Sequence, residues 1–306
     1  MVPIRSQLRH AARLTTIVVC SLAPSACKTG ILEPQGPIGA AEKSILIDSI
    51  AIMLAIVAPT ILAIFAFAWW FRASNTRARY LPDWEYSGRI ELVVWAIPAL
   101  VVMLLGGVAW IGAHDLDPAK PIASSQPPLE IQAVSLDWKW LFLYPDQKLA
   151  TVNTLTIPAG VPVHFSLTSS SVMNAFFIPQ LGSMIYTMNG MTTRLNLQAD
   201  SAGVFHGMSS HYSGDGFSDM NFEVHAVSPA EFSDWVKTAS KATAMLDASS
   251  YTELAKQSLK VAPATYRLDD ANLFQSIATQ MLPAGPGPQD QLSIRSIPPS
   301  GGADVR

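Results

Sequence analysis

Apolar residues along this chain fall into two unlike patterns. Residues 49–71 carry no charged side chain and are rich in Ile, Leu, Ala and Phe, and residues 92–113 form a second uncharged run. At about 1.5 Å of rise per residue, either run covers a hydrocarbon core of about 30 Å as a helix. Trp69 and Trp70 end the first run, and Trp95 and Trp110 lie near the ends of the second, where indole rings suit the membrane interface. Pro59 and Pro98 should bend these helices without excluding them, because neighbouring helices can satisfy the freed carbonyls in lipid. The pattern predicts transmembrane helices over residues 44–71 and 90–113.

Beyond a Pro-rich linker, residues 114–128, the period shortens to two. Residues 130–134, His164-Phe165-Ser166-Leu167-Thr168, Leu195-Asn196-Leu197 and Phe222-Glu223-Val224 alternate apolar with polar, with Gly, Pro and Asn between them. Short alternating runs punctuated by turn residues predict an antiparallel β-sandwich or barrel over residues 129–228. Pro229 opens a helical stretch over 230–239, and a weaker helical pattern spans 251–259. Residues 229–282 therefore read as a helical, aromatic-bearing segment, and the Pro-, Gly- and Ser-rich residues 283–306 as a disordered tail. The expected fold is a membrane-anchored all-β chain led by a two-helix transmembrane hairpin.

Charge orients the hairpin. Arg72, Arg77, Arg79 and Arg89 crowd the link of residues 72–89, whereas the opposite flanks hold only Lys28, Lys43 and Lys120 nearby. The excess of arginine places the link in the cytoplasm, and residues 27–43 and everything after His114 in the periplasm of a bacterial inner membrane. The front of the chain agrees. Arg5, Arg9 and Arg13 precede an apolar stretch at 14–23 that is too short to span, and Ser25-Ala26 precede Cys27. Residues 1–26 read as a signal peptide. Small residues before a cysteine resemble the bacterial lipobox, in which the new N-terminal cysteine is acylated; Pro24 departs from the aliphatic residue usual there. Cys27 is accordingly expected to carry a lipid anchor that supplements the spans.

Composition narrows the chemistry. With 14% charged residues the chain is too apolar for an ordinary soluble enzyme, and its Lys and Arg are not clustered in the C-terminal part as a nucleic-acid partner would require. No G-x-S-x-G, phosphate-binding glycine loop or paired catalytic carboxylates stand at useful spacing, so no catalytic residue is expected in this chain. Both cysteines, Cys20 and Cys27, precede residue 28, and the β-rich region has no thiolate to offer a metal.

Five segments carry a family resemblance: Leu32-Glu33-Pro34-Gln35-Gly36-Pro37-Ile38-Gly39, Phe71-Arg72-Ala73-Ser74-Asn75, Val94-Trp95-Ala96-Ile97-Pro98, Asp137-Trp138-Lys139-Trp140, and Ser171-Val172-Met173-Asn174-Ala175-Phe176-Phe177-Ile178-Pro179. Over residues 31–236 the chain resembles subunit II of bacterial cytochrome bo-type ubiquinol oxidases. The resemblance implies a periplasmic cupredoxin-like domain docked on subunit I, with subunits III and IV completing a proton-translocating complex that passes electrons from ubiquinol to oxygen. Haem b, haem o or haem a, and one copper would sit in subunit I. This chain would be a scaffolding subunit bound to its partners and to membrane lipid.

The sister family, subunit II of cytochrome c oxidases, is similar but holds a binuclear copper centre. Its ligands are an upstream His and a C-x-x-x-C-x-x-x-H-x-x-M run, where thiolates suit copper because soft sulfur stabilises the reduced metal. Here Asn174 stands at the upstream position, Ser209 and Ser213 at the cysteines, Phe217 at the histidine, and His211 between the serines; Met220 alone is retained. No metal and no cytochrome c partner are therefore expected, which sets aside a cytochrome c oxidase subunit; the two spans set aside a free-standing periplasmic lipoprotein. His164, His206, His211 and His225 follow no metal-ligand spacing. Trp138 and Trp140, with Phe142 and Tyr144, are expected to serve packing or docking. Glu91, at the cytoplasmic start of the second span, matches a glutamate that in the wider family lies by the mouth of a proton-uptake path; an acid there also suits the helix dipole.

Overall fold

The computed structural model describes residues 30–79 and 81–287. The membrane hairpin consists of α1, Pro37–Trp70, and α2, Gly88–Asp115. Both are long and apolar enough to cross a membrane. Each begins before, and α2 also ends beyond, the stretch its uncharged core predicts, because charged residues such as Glu42, Lys43 and Asp115 continue the same helices past the apolar core. Half-covered positions recur at Ile45, Ser49, Ile52, Ile56 and Ala63 on α1 and at Val101, Leu105, Val108 and Gly112 on α2. That spacing of three and four is the seam along which two helices pack. At Gly112 a Cβ would come within 2.8 Å of Ile45 Cδ1, so the missing side chain allows the close approach. Most of the remaining apolar surface of the hairpin is open, as a lipid- or protein-facing surface requires.

The hairpin is fixed to the β domain at its first turn. Gln35 N–H donates to Gln180 O at 2.7 Å, Gly39 N–H to Leu181 O at 3.0 Å, and Asp200 N–H to Gln35 O at 2.8 Å. Gly36 sits so close that a Cβ would fall 2.0 Å from Gln198 O. The Glu42 carboxylate accepts a bond from the Ser183 hydroxyl, extending this joint along α1.

The β domain packs two sheets. One, in the order β11-β12-β3-β2-β1-β5-β8, uses β1 Leu129–Leu136, β2 Lys139–Tyr144, β3 Leu149–Val152, β5 Val163–Ser169, β8 Thr193–Leu197, β11 Met245–Leu246 and β12 Ala264–Leu268. The other, in the order β4-β10-β9-β6-β7, uses β4 Thr154–Pro158, β6 Asn174–Phe177, β7 Ile185–Thr187, β9 Gly203–Ser209 and β10 Asn221–Val227. The four predicted strands lie within β1, β5, β8 and β10. The expectation of a wholly antiparallel arrangement needs correcting: β1 runs parallel to β5 and β10 parallel to β4. Alternation specifies which face of a strand is buried, and a parallel neighbour satisfies that pattern as well as an antiparallel one.

Between the sheets lies an aromatic core. Phe176 stacks on Phe222 with centroids 5.3 Å apart, and Trp140 meets both rings edge-on at 5.2 and 5.7 Å. Such contacts add about 0.5–1.5 kcal/mol beyond area burial. On β2, Trp140, Phe142 and Tyr144 enter this core, while Leu141 and Leu143 point to a second one. The second core is built by the C-terminal segment: α4, Ala248–Leu254, supplies Tyr251, and α5, Leu273–Ala278, supplies Leu273, Phe274 and Ile277.

Before them, α3, Pro229–Ala239, starts in a capping box in which Ser228 and Glu231 satisfy each other's backbone N–H. The weaker helical pattern is shifted N-terminally from its expected 251–259, because Asp247 and Ser250 form a second capping box. Residues 283–287 also depart from expectation. Their composition predicts a disordered tail, yet Gly285 N–H donates to Ser170 O at 2.9 Å and Gly287 N–H to Asp137 Oδ2 at 3.0 Å, and Gln257 Nε2 donates to Gly287 O at 2.7 Å.

Candidate functional site

Of the six positions implied by the resemblance, Asn174, Ser209 and Met220 are joined directly, with His211 reached through its carbonyl. Asn174 opens β6, Ser209 closes β9 beside it, and the loop after Ser209 passes His211 and Ser213 to a single turn of 3-10 helix, Phe217–Asp219, before Met220 returns the chain to β10. Pairing of Phe176 with Ser209 brings β6 and β9 into register, and Ser209 N–H donates to Met220 O at 3.0 Å. The Ser209 hydroxyl donates to Asn174 Oδ1 at 3.1 Å, with a longer contact of 3.3 Å to His211 O. Asn174, Ser209, Ser213 and Met220 are buried. The Met220 thioether belongs to the aromatic core, and the half-buried Phe217 ring lies edge-on to Tyr212.

The donors on offer are an amide, two neutral hydroxyls and one thioether, with the His211 imidazole turned to the Tyr186 ring. These residues do not fit a copper centre: none carries charge, and the one soft atom is committed to packing. A hydrogen bond between Asn174 and Ser209 does what shared metal ligation would do elsewhere, tying two strand ends. The Ser213 hydroxyl is buried with no hydrogen-bond partner among the described residues, an arrangement that costs about 1–3 kcal/mol. Of the four histidines named above, His206 is exposed on β9 and the other three have partners. His164 Nδ1 lies 2.9 Å from Asn196 Oδ1, His225 Nε2 lies 3.2 Å from Glu223, and His211 meets the edge of Tyr186. Among the described residues, no three His, Cys, Asp or Glu side chains group as a metal site.

Trp138 and Trp140 both pack. Trp140 is fully buried among the core aromatics, and Trp138 is 6% exposed. Trp138 occupies the β1–β2 turn with φ of +64°, a left-handed conformation that bulky residues rarely adopt. Its indole N–H donates to Ser213 O at 3.1 Å, and a Cβ on Gly216 would meet Trp138 Cγ at 2.4 Å and Leu259 Cδ2 at 2.5 Å. The ring is thus held between the loop of residues 213–217 and the C-terminal segment. Neighbouring Lys139 holds that segment too, donating to Lys256 O at 2.7 Å and Ser258 Oγ at 2.5 Å. Sequence reasoning missed this role; a lysine inside the continuous run of β2 was the available signal.

Burial pushes the Lys139 ammonium down to about 8, with the Asp137 carboxylate opposing the shift. An unfolded lysine titrates near 10.4, so between about pH 8 and 10 the unfolded chain binds more protons at this residue and stability rises with pH. The contribution is fully present above the unfolded value and lost as pH falls through about 8. Thermal unfolding of the wild type should therefore show a midpoint that climbs across this window relative to Lys139→Met; parallel profiles would refute the assignment. At higher pH the phenol of Tyr251, which burial pushes up to about 12, acts with the opposite sign.

Glu91 lies in the first turn of α2, exposed, with its N–H donating to Ser87 O. It forms no ion pair with Arg89 among the described residues. Cys27 and the signal segment lie outside the described residues.

Two helices long and apolar enough to cross a membrane thus precede a two-sheet, cupredoxin-like domain. The family described as cytochrome c oxidase subunit II, periplasmic domain, matches residues 141–227. The chain is 48% identical over 264 residues to the cytochrome bo(3) ubiquinol oxidase subunit 2 of Pseudomonas aeruginosa, covering 85% of this chain and 80% of that one. It is 47% identical over 234 residues to the ubiquinol oxidase subunit 2 of Acetobacter aceti, covering 76% of each. The crystal structure of the periplasmic domain of cytochrome oxidase subunit II from Bradyrhizobium japonicum aligns with 39% of this chain and 98% of its own, at 24% identity and a TM-score of 0.37. The chain belongs to the ubiquinol oxidase subunit 2 family.

Proposed function

We infer that this chain is the second subunit of a proton-translocating ubiquinol:oxygen oxidoreductase of the bacterial inner membrane, serving as a scaffold and holding no redox centre of its own. One observation carries the reading: the Asn174–Ser209 hydrogen bond and buried Ser213 occupy the place where a subunit fed by cytochrome c needs soft, charged ligands. Electrons must then enter the complex elsewhere, which favours a membrane-borne quinol. Haem b, haem o or haem a, and copper belong to subunit I in this reading, with subunits III and IV as further partners. The arginine-rich link faces the cytoplasm and the β domain the periplasm, as the charge asymmetry supports.

Gentle solubilisation should recover the chain with a haem-bearing polytopic protein. The complex should show b-type haem absorption and oxidise ubiquinol but not reduced cytochrome c. Oxidation of cytochrome c at a comparable rate would overturn the reading, as would recovery of the chain without haem.

Two residues have roles in this complex. Glu91, exposed at the cytoplasmic start of α2, collects protons for uptake into subunit I, a task suited to a carboxylate that exchanges with water. Glu91→Gln should slow oxygen reduction several-fold at normal haem content, with Glu91→Asp milder; unchanged turnover and proton uptake would leave only a helix-capping role. Cys27 carries the acyl anchor. Intact-mass measurement should find a mature chain that begins there with added acyl mass, absent in Cys27→Ser, while the spans keep that variant in the membrane at nearly full activity.

A further inference from the structure

The link between α1 and α2 forms a cavity that the proposed function does not use. It is an open cleft of about 670 Å³ lined by Phe71, Arg72, Asn75, Arg79, Leu81 and Trp84, together with two small alanines. The loop around it is built rather than slack. Asn75 Nδ2 donates to Trp70 O at 2.5 Å, and the Arg72 guanidinium donates to Trp69 O at 3.2 Å and Ser74 Oγ at 3.0 Å while lying 4.8 Å above the Trp69 ring. Arg72 and Asn75 thereby cap the last carbonyls of α1 and fix the cavity to the helix end. Arg79, by contrast, makes no hydrogen bond or ion pair among the described residues, although it lines the same space. The acids of the link, Asp83 and Glu85, are not among the lining residues.

Two guanidinium groups thus share a cavity with the Asn75 amide and with apolar walls from Phe71, Leu81, Trp84 and two alanines, next to the ends of two membrane-length helices. Guanidinium forks match phosphate oxygens in pairs, and basic pockets at helix ends favour anionic head groups. Phe71, Leu81 and Trp84 supply the apolar surface that an ester and the top of an acyl chain would cover, and that a free anion would leave wet. We propose that this cavity binds one anionic glycerophospholipid, its phosphodiester between Arg72 and Arg79 and its glycerol ester against Phe71, Leu81 and Trp84. The lipid ties the link to the leaflet it faces, in addition to the anchoring the helices provide.

The test uses the intact complex. After exchange into detergent with phosphatidylglycerol and phosphatidylcholine of identical acyl chains, native mass spectrometry counts retained lipid. The wild-type complex should retain phosphatidylglycerol in preference to phosphatidylcholine. Arg79→Gln removes a side chain with no hydrogen bond or ion pair among the described residues, and should retain one phosphatidylglycerol fewer at unchanged haem content; Arg79→Lys should retain most of it. Excess inorganic phosphate should not displace the lipid. Three results would overturn the proposal: equal lipid counts in wild type and Arg79→Gln, displacement by inorganic phosphate, or loss of the haem-bearing subunit from Arg79→Gln with its lipid count unchanged. The last would mark the cavity as a protein contact.

Discussion

A chain carrying Asn174→His, Ser209→Cys, His211→Glu, Ser213→Cys and Phe217→His together is expected to bind copper in stoichiometric amount and to become coloured, whereas the wild type binds none after the same reconstitution. The expectation rests on geometry already in place. Asn174 and Ser209 are 3.1 Å apart through their side chains, Ser209 and Met220 are tied through the backbone, and both serines are buried where water would not compete for the metal. Serine to cysteine changes little in shape, and it converts the unpartnered Ser213 hydroxyl into a ligand. Thiolate and imidazole must lose protons to bind, so copper uptake by the variant should also strengthen as pH rises toward neutrality. Bound copper and visible absorption are the measurements. A well-folded variant without copper would show that the loop of residues 209–220 has lost the geometry as well as the ligands, and copper held tightly by the wild type would refute the chemical argument.

How far the chain could be read in advance depended on the range of each interaction. The spans were legible because an uncharged helix is a local property of consecutive residues. Strands β1, β5, β8 and β10 were legible because each has one face toward the core and one toward a wetter surface. Strand direction was not, since a side chain's facing says nothing about whether its neighbour runs parallel. β12 was missed as a strand: Ala264-Thr265-Tyr266-Arg267-Leu268 is half-covered, and its strand character comes from pairing with β3 far away in sequence. The second core left a trace in β2, where Lys139–Tyr144 is buried at every position and carries no alternation. At the candidate site the missing cysteines were plain, because identity alone decides whether a soft ligand exists. The setting of Trp138 between Gly216 and Leu259 was hidden, because it joins a turn, a loop and the C-terminal segment that only the folded chain brings together.

Gly36→Ala is expected to uncouple the membrane hairpin from the β domain and to reduce recovery of assembled, haem-bearing complex several-fold. Gly36 precedes α1 with φ of −153°, an extended conformation open to any residue, so glycine is not required there for its backbone freedom. Space requires it. An added Cβ would stand 2.0 Å from Gln198 O and 3.4 Å from Leu181 O, and both are backbone atoms with no flexible end to swing aside. Relief demands that the first turn of α1 withdraw from the domain, which lengthens the bonds from Gln35 to Gln180, from Gly39 to Leu181 and from Asp200 to Gln35. Each such bond contributes about 0.5–1.5 kcal/mol, so losing two or three is comparable to the whole margin of a weak joint. The β domain itself should stay folded, because its second core lies away from this contact and the first meets it only through Leu181, Leu197 and Ala199 at its edge. Limited proteolysis should therefore find new cleavage confined to residues 30–36, with resistance of the β domain unchanged, alongside lower haem per chain. Wild-type haem content and wild-type resistance at residues 30–36 would mean that the joint yields freely, and that the domain is positioned by its partner subunits instead.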